Sequence, residues 1–198
     1  MRDSRSGMGL GIGVAKVRIW TIGHSTRTAE AFIALLQSQQ IELLVDVRRF
    51  PGSRMHPQFN SGPLADSLAN ARIAYRSAPE LGGRRTPRPD SRNTAWRNAS
   101  FRGYADYMET ADFGAAMEPL IAEGAKQRTA IMCAEAVWWQ CHRSLIADAL
   151  KARGIDVLHI LDGPRIAEHP YTAAARVIDG RLDYGSTPRA LDLFQNHD

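Results

Sequence analysis

Lysine is nearly missing from this 198-residue chain: Lys16, Lys126 and Lys151 are the whole set, so 22 of its 25 basic residues are arginines. Cysteine is scarce as well. Two cysteines cannot build a disulfide framework, and a reducing cytoplasm is the expected location. No apolar run approaches the ~20 residues that a membrane span needs, so no membrane partner is expected. The first residues carry arginines but no apolar stretch of the secretory type, and no leader is expected. Gly9-Leu10-Gly11-Ile12-Gly13 lacks the preceding strand and following helix that a dinucleotide fingerprint requires, which excludes that reading.

What is present is a composition able to fold. Hydrophobic residues make up 44% of the chain, and a domain of this length buries roughly 70% of its unfolded surface. The net charge of +4 is too modest to require a nucleic-acid partner by itself. The arginines are unevenly placed, however. Arg76, Arg84, Arg85, Arg88, Arg92, Arg97 and Arg102 fall in one stretch whose acids are Glu80 and Asp90. That stretch reads either as a solvated loop or as a basic lip that attracts an anion. Arginine suits the second use, because its planar fork pairs bidentately with phosphate or carboxylate.

Residues 1–16 read as a flexible arm and 17–198 as a single domain. Strand patterns fall at 17–22, 43–47, 73–75, 129–132 and 155–160, the second as a continuous apolar run of the doubly buried type. Between them lie a helix capped by Thr28, a second over 62–71 with Pro63 at its start, a pair over 103–124 broken near Thr110, and one over 142–153 ended by Gly154. A long polar loop spans 77–102, and Asp179-Gly180 marks a small C-terminal hairpin. The alternation predicts an α/β class: one three-layer domain with a mostly parallel central sheet of about five strands and helices on both faces.

Ligands of such sheets bind beyond the carboxyl ends of the strands. Reactive side chains collect there in every strand: His24 and Ser25 after the first, Asp46 and Arg48 at the second, and Tyr75 then Gly82, Gly83 and Arg84 after the third. Cys133 and Glu135 with Cys141, His142 and Arg143 follow the fourth, and Asp162 the fifth. Each has a blander reading. Asp46 pairs with Arg48 or caps a turn, His24 donates to a backbone carbonyl, Ser25 caps a helix, Cys133 is a small core residue and Gly82-Gly83 is a turn. Cys141-His142-Arg143 is the sharpest local feature, because a thiol at a helix start beside an arginine has a lowered pKa.

Together the blocks Thr21-Ile22-Gly23-His24-Ser25, Asp46-Val47-Arg48 with Pro51 and Ser53, Tyr75 with Leu81-Gly82-Gly83, Phe101-Arg102-Gly103-Tyr104 with Tyr107-Met108, and Met132-Cys133-Ala134-Glu135 with Cys141-His142-Arg143 resemble the prokaryotic family known as domain of unknown function 488. The resemblance spans roughly residues 17–163. It implies a single α/β domain with a shared site and brings no established reaction. Trp138-Trp139 stands where the family more often has a short polar connection containing proline.

Three functions follow as expectations. The first is an enzyme, hydrolase or transferase, on an anionic ligand that is phosphate-bearing, a nucleotide or nucleic acid; Arg48 and Arg143 clamp the anion, and Asp46, Glu135 or His24 move protons. Ser25, Tyr75, Gly82, Gly83, Arg84, Arg102, Tyr104 and His142 complete its binding surface, with Cys133 and Cys141 as further catalytic candidates. The second is a non-catalytic nucleic-acid-binding module built on the 84–102 loop, with Trp96, Phe101 and Tyr104 stacking on bases. The third is thiol-based sulfurtransferase or phosphatase-like chemistry, although Cys133 lies ten positions before Arg143, too far for a tight phosphate-cradling loop. No cofactor is required; a metal on Cys133, Cys141 and His142 is conceivable, but the paired spacing of a zinc site is missing. The sequence sets no oligomeric state.

Overall fold

The computed structural model describes residues 16–163 and 165–185. All but the last residue of the expected N-terminal arm lies outside them. The elements run β1 (Arg18–Gly23), α1 (Ala29–Ser38), β2 (Leu43–Asp46), α2 (Ser61–Asn70), β3 (Ala74–Ser77), α3 (Ala99–Met108), α4 (Ala111–Gly124), β4 (Thr129–Cys133), α5 (Arg143–Ala152), β5 (Asp156–Ile160), β6 (Ile166–Glu168), β7 (Arg176–Ile178) and β8 (Arg181–Asp183). The α/β architecture is as expected, with one strand more than the pattern suggests: β6 adds antiparallel to β5 at the edge of a sheet ordered β3-β2-β4-β1-β5-β6. Its three residues carry too little alternation to register as a strand in the sequence.

Local chemistry accounts for the boundaries. The Thr28 hydroxyl accepts from the Ala31 amide and opens α1. Thr110 does the same for Phe113 and separates α3 from α4. At the β7–β8 turn, Asp179 and Gly180 both take positive φ, 49° and 75°, as the tight hairpin requires.

Alternation along the strands sorts side chains to two faces. Ile19, Val45, Ile131 and Val157 pack with Tyr104, Phe113, Leu145 and Leu150 from α3, α4 and α5. Trp20, Ile22, Leu44 and Met132 pack with Phe32, Leu36, Leu64 and Leu68 from α1 and α2. The chain therefore leaves β1 and β2 toward one face and β4 toward the other, although β4 sits between them. Diverging exits from neighbouring strands open a crevice at the carboxyl edge. Among the described residues, no helix is long and apolar enough to cross a membrane.

Candidate active site

A cleft of about 330 Å³ occupies that crevice. Its floor is Cys133 at the end of β4 with Cys141 and His142 at the start of α5, and its lip is Arg49, Phe50 and Arg84. Arg48, Gly83, Phe101 and Glu135 are among the residues of its wall. Arg49, Phe50, Arg84 and Glu135 are exposed, whereas both sulfurs are buried. Arg84 holds its lip position with a φ of 58°, in the left-handed region, a local strain typical of functional loops.

The floor is tightly ordered. His142 Nε2 lies 3.1 Å from the Val47 carbonyl and so carries the proton that it donates there. Its Nδ1 faces the two sulfurs, 3.8 Å from Cys133 Sγ and 3.7 Å from Cys141 Sγ. A hydrogen bond from Cys141 and the adjacent imidazole hold the Cys133 thiol well below its ordinary range. Burial, reinforced by the same pairing, pushes the Cys141 thiol up. Gly83 lies flat against the ring: a Cβ there would stand 2.8 Å from His142 Nδ1.

Behind the wall, on the α1/α2 face, a second set of expected residues locks one arginine in place. Asp46 is fully buried and accepts from Arg48 Nε at 2.8 Å and NH2 at 2.6 Å, from the Arg48 amide at 3.0 Å and from the Tyr75 hydroxyl at 2.9 Å. Burial and the neighbouring Asp46 carboxylate raise Tyr75 to about 12, so it remains a donor. His24 donates through Nδ1 to the Ser25 carbonyl and accepts at Nε2 from Arg48 NH1 at 3.2 Å. Burial lowers its pKa, which keeps the ring neutral and its lone pair on Arg48.

The remaining expected residues are placed as supports. Arg143 is buried; its guanidinium donates to the carbonyls of Glu135 and Ala136 and holds the β4–α5 loop, so it does not line the cleft. Gly23 permits that approach, since a Cβ there would fall 1.8 Å from the Glu135 carbonyl oxygen. Ser25 donates its amide to Ala134, and Gly82 packs on the backbone of Arg49. The Tyr104 hydroxyl is buried and donates to the Leu81 carbonyl at 2.7 Å, which removes it as a stacking platform. Arg102 is half-buried on α3 and outside the cleft wall.

A family model, the domain of unknown function DUF488, matches residues 28–150 of this chain. The chain belongs to that family. No curated protein and no solved structure matches it. The DUF488 match begins after His24 and Ser25 but takes in Asp46, Arg48, Arg84, Cys133, Glu135 and the Cys141-His142-Arg143 turn, so the cleft floor and lip lie within it.

Sequence reading missed Arg49 and Phe50 at the lip of this DUF488 domain. Their signal was available, since they directly follow a strand end already marked by Asp46 and Arg48. It missed a second polar cluster altogether. Asp148 on α5 is fully buried and accepts from His169 Nε2 at 2.9 Å; His159 Nε2 donates to His169 Nδ1 at 2.9 Å, and the Thr21 hydroxyl donates to His159 Nδ1 at 2.7 Å. Trp138 stacks on His159 with ring centroids 4.3 Å apart. Burial, with His169 and Arg143 nearby, drives His159 down to about 2 and keeps it neutral.

Proposed function

We propose that the cleft is the active site of an enzyme, a hydrolase or transferase, whose substrate is anionic: a phosphate-bearing small molecule, a nucleotide or a nucleic-acid strand. One observation carries the reading. Two exposed arginines, Arg49 and Arg84, stand over a floor of two sulfurs and an imidazole in a crevice placed where α/β sheets bind ligands. Arg49 and Arg84 supply the anion's partners, and exposed Phe50 supplies a flat apolar surface beside them. Arg48 presents its guanidinium from a fixed position, and Asp46 and His24 serve by holding it. Proton transfer then belongs to Glu135, the exposed carboxylate of the wall.

A second reading, thiol-based group transfer through Cys133, draws on the lowered pKa of that thiol. It has less support, because Arg143 spends its fork on loop carbonyls and offers nothing to a transferred oxyanion.

Calorimetric titration with inorganic pyrophosphate and with a labelled single-stranded oligonucleotide tests the anion reading. Arg49→Ala and Arg84→Ala are each expected to weaken binding about tenfold, equivalent to about 1.4 kcal/mol, and added salt to weaken it further. Binding of neither probe, or binding indifferent to both variants, would overturn the reading. A preference for the oligonucleotide assigns the substrate to nucleic acid, and a preference for pyrophosphate to a small phosphate ester.

A further inference from the structure

We infer that Cys133 Sγ, Cys141 Sγ and His142 Nδ1 form a three-ligand site for one soft divalent transition-metal ion, zinc by its donor set, with the fourth position open to the cleft. The three donor atoms all lie within 4.8 Å of one another. In a tetrahedral zinc site, bonds of about 2.3 Å to sulfur and 2.0–2.1 Å to nitrogen set each nitrogen–sulfur edge at about 3.6 Å. The two edges here are 3.8 and 3.7 Å. Both nitrogen–sulfur edges already stand within a tenth or two of an ångström of coordination spacing, and the two sulfurs lie within 4.8 Å of each other.

The surroundings fit the same use. The far ring nitrogen donates to the Val47 carbonyl, so the neutral ring turns its lone pair to the sulfurs and to an ion held between them. A backbone carbonyl on the far nitrogen is the usual support of a metal-bound histidine, fixing both tautomer and ring orientation. Glycine at position 83 keeps a side chain off Nδ1, where a Cβ would stand 2.8 Å away. Two thiolates would neutralise a divalent ion, so the filled site adds no net charge to a buried floor. All three ligands belong to the cleft lining, so water or a substrate atom can reach the remaining position, the layout of a catalytic rather than a structural zinc. Soft thiolates with one imidazole select zinc over magnesium or calcium, which prefer oxygen.

The inference deepens the active-site reading by naming its reaction centre, and it rests on that reading only for the use of the fourth position. Chelator-treated full-length protein titrated with Co²⁺ alone tests it. The expected result is one cobalt per chain, with intense tetrahedral ligand-field bands and sulfur-to-cobalt charge transfer, displaced by one equivalent of Zn²⁺. Cys133→Ser, Cys141→Ser and His142→Ala, checked for folding by circular dichroism, should each lose the bands or weaken cobalt at least tenfold. Because those variants share the risk of misfolding, the wild-type thiols supply a second measurement: zinc should protect both from alkylation. A wild-type protein that gives no charge-transfer band and whose thiols zinc leaves unprotected would overturn the site. Arg49→Ala and Arg84→Ala should keep the cobalt spectrum while losing pyrophosphate. Failure of cobalt binding with pyrophosphate binding intact removes the metal alone, and the converse removes the anion reading alone.

Discussion

Arg48 illustrates how a residue chosen for chemistry can be fixed by structure before it acts. Its guanidinium has partners on Asp46, on His24 and on the Phe59 carbonyl, and it is only 7% exposed. A buried ion pair contributes little by itself, yet breaking one leaves an uncompensated charge and costs about 3–5 kcal/mol. Asp46→Asn is therefore expected to destabilise the domain by about that amount, read as a shift of the urea midpoint at constant slope. A change below ~1 kcal/mol would mean that Arg48 relaxes into the cleft and is not held by Asp46. Three readings of Asp46 stood open in the sequence, proton carrier, turn cap and partner of Arg48, and in the structure its carboxylate accepts from both the amide and the guanidinium of Arg48. Residue type and strand position were legible; the direction of a side chain was not. The same limit hid the fate of Arg143, which lies beside the site in sequence but is turned under it by two carbonyls.

Among the elements, α5 joins segments that are far apart in the chain. Its Asp148 accepts not only from His169 but from the Thr172 amide and hydroxyl and from the Tyr184 hydroxyl, and so anchors the segments before and after the C-terminal hairpin. The chain from Asp148 through His169 and His159 to Thr21 carries this anchor into β1. It has a pH signature. His159 is neutral when folded, with a pKa of about 2, against an ordinary 6.5 in the unfolded chain. Below pH 6.5 the unfolded chain takes up a proton that the folded one refuses, so stability falls with falling pH, by up to about 1.4 kcal/mol per unit. Urea unfolding between pH 7 and 5 should show that slope, and His159→Gln should flatten it. Equal slopes in the two proteins would assign the acid sensitivity elsewhere. Helices with caps and strands with clear apolar runs were legible in advance; this network was not, because its bonded partners lie up to 138 positions apart and no local pattern joins them.

At the scale of the whole molecule, the order of strands and helices sufficed to predict the layers, and the reactive residues at the strand ends marked the carboxyl edge; where the crevice opens along that edge follows from the spatial strand order, which the sequence does not carry. The metal-type cluster was named in the sequence but its geometry was not legible there: Cys133 and Cys141 lie eight positions apart around a loop, with no paired spacing, and the fold brings them and His142 together. Part of the arginine-rich stretch is tied down on the domain itself. Arg88 pairs with Glu109 and donates its amide to Asp106, Asn93 binds Asp106 and Glu109, and Arg85 lies 3.6 Å over the Tyr107 ring. Native trypsin digestion is accordingly expected to spare residues 85–97 for far longer than the unfolded chain, and Asp106→Asn to hasten cutting there at least several-fold. Rapid cutting in the wild type would instead show a loop open enough to lie along a polyanion.

The packing around His142 carries a consequence for time rather than for affinity. Gly83 covers one flank of the ring, Tyr104 lies with its centroid 5.1 Å away, and the Val47 carbonyl holds the far edge. Such a ring cannot swing aside to admit or expel whatever sits on the floor. The exposed side chains of the lining, Arg49, Phe50, Arg84, Asn98 and Gln140 among them, are what an occupant meets on its way in or out, so its residence time is set by their movement and not by the ring.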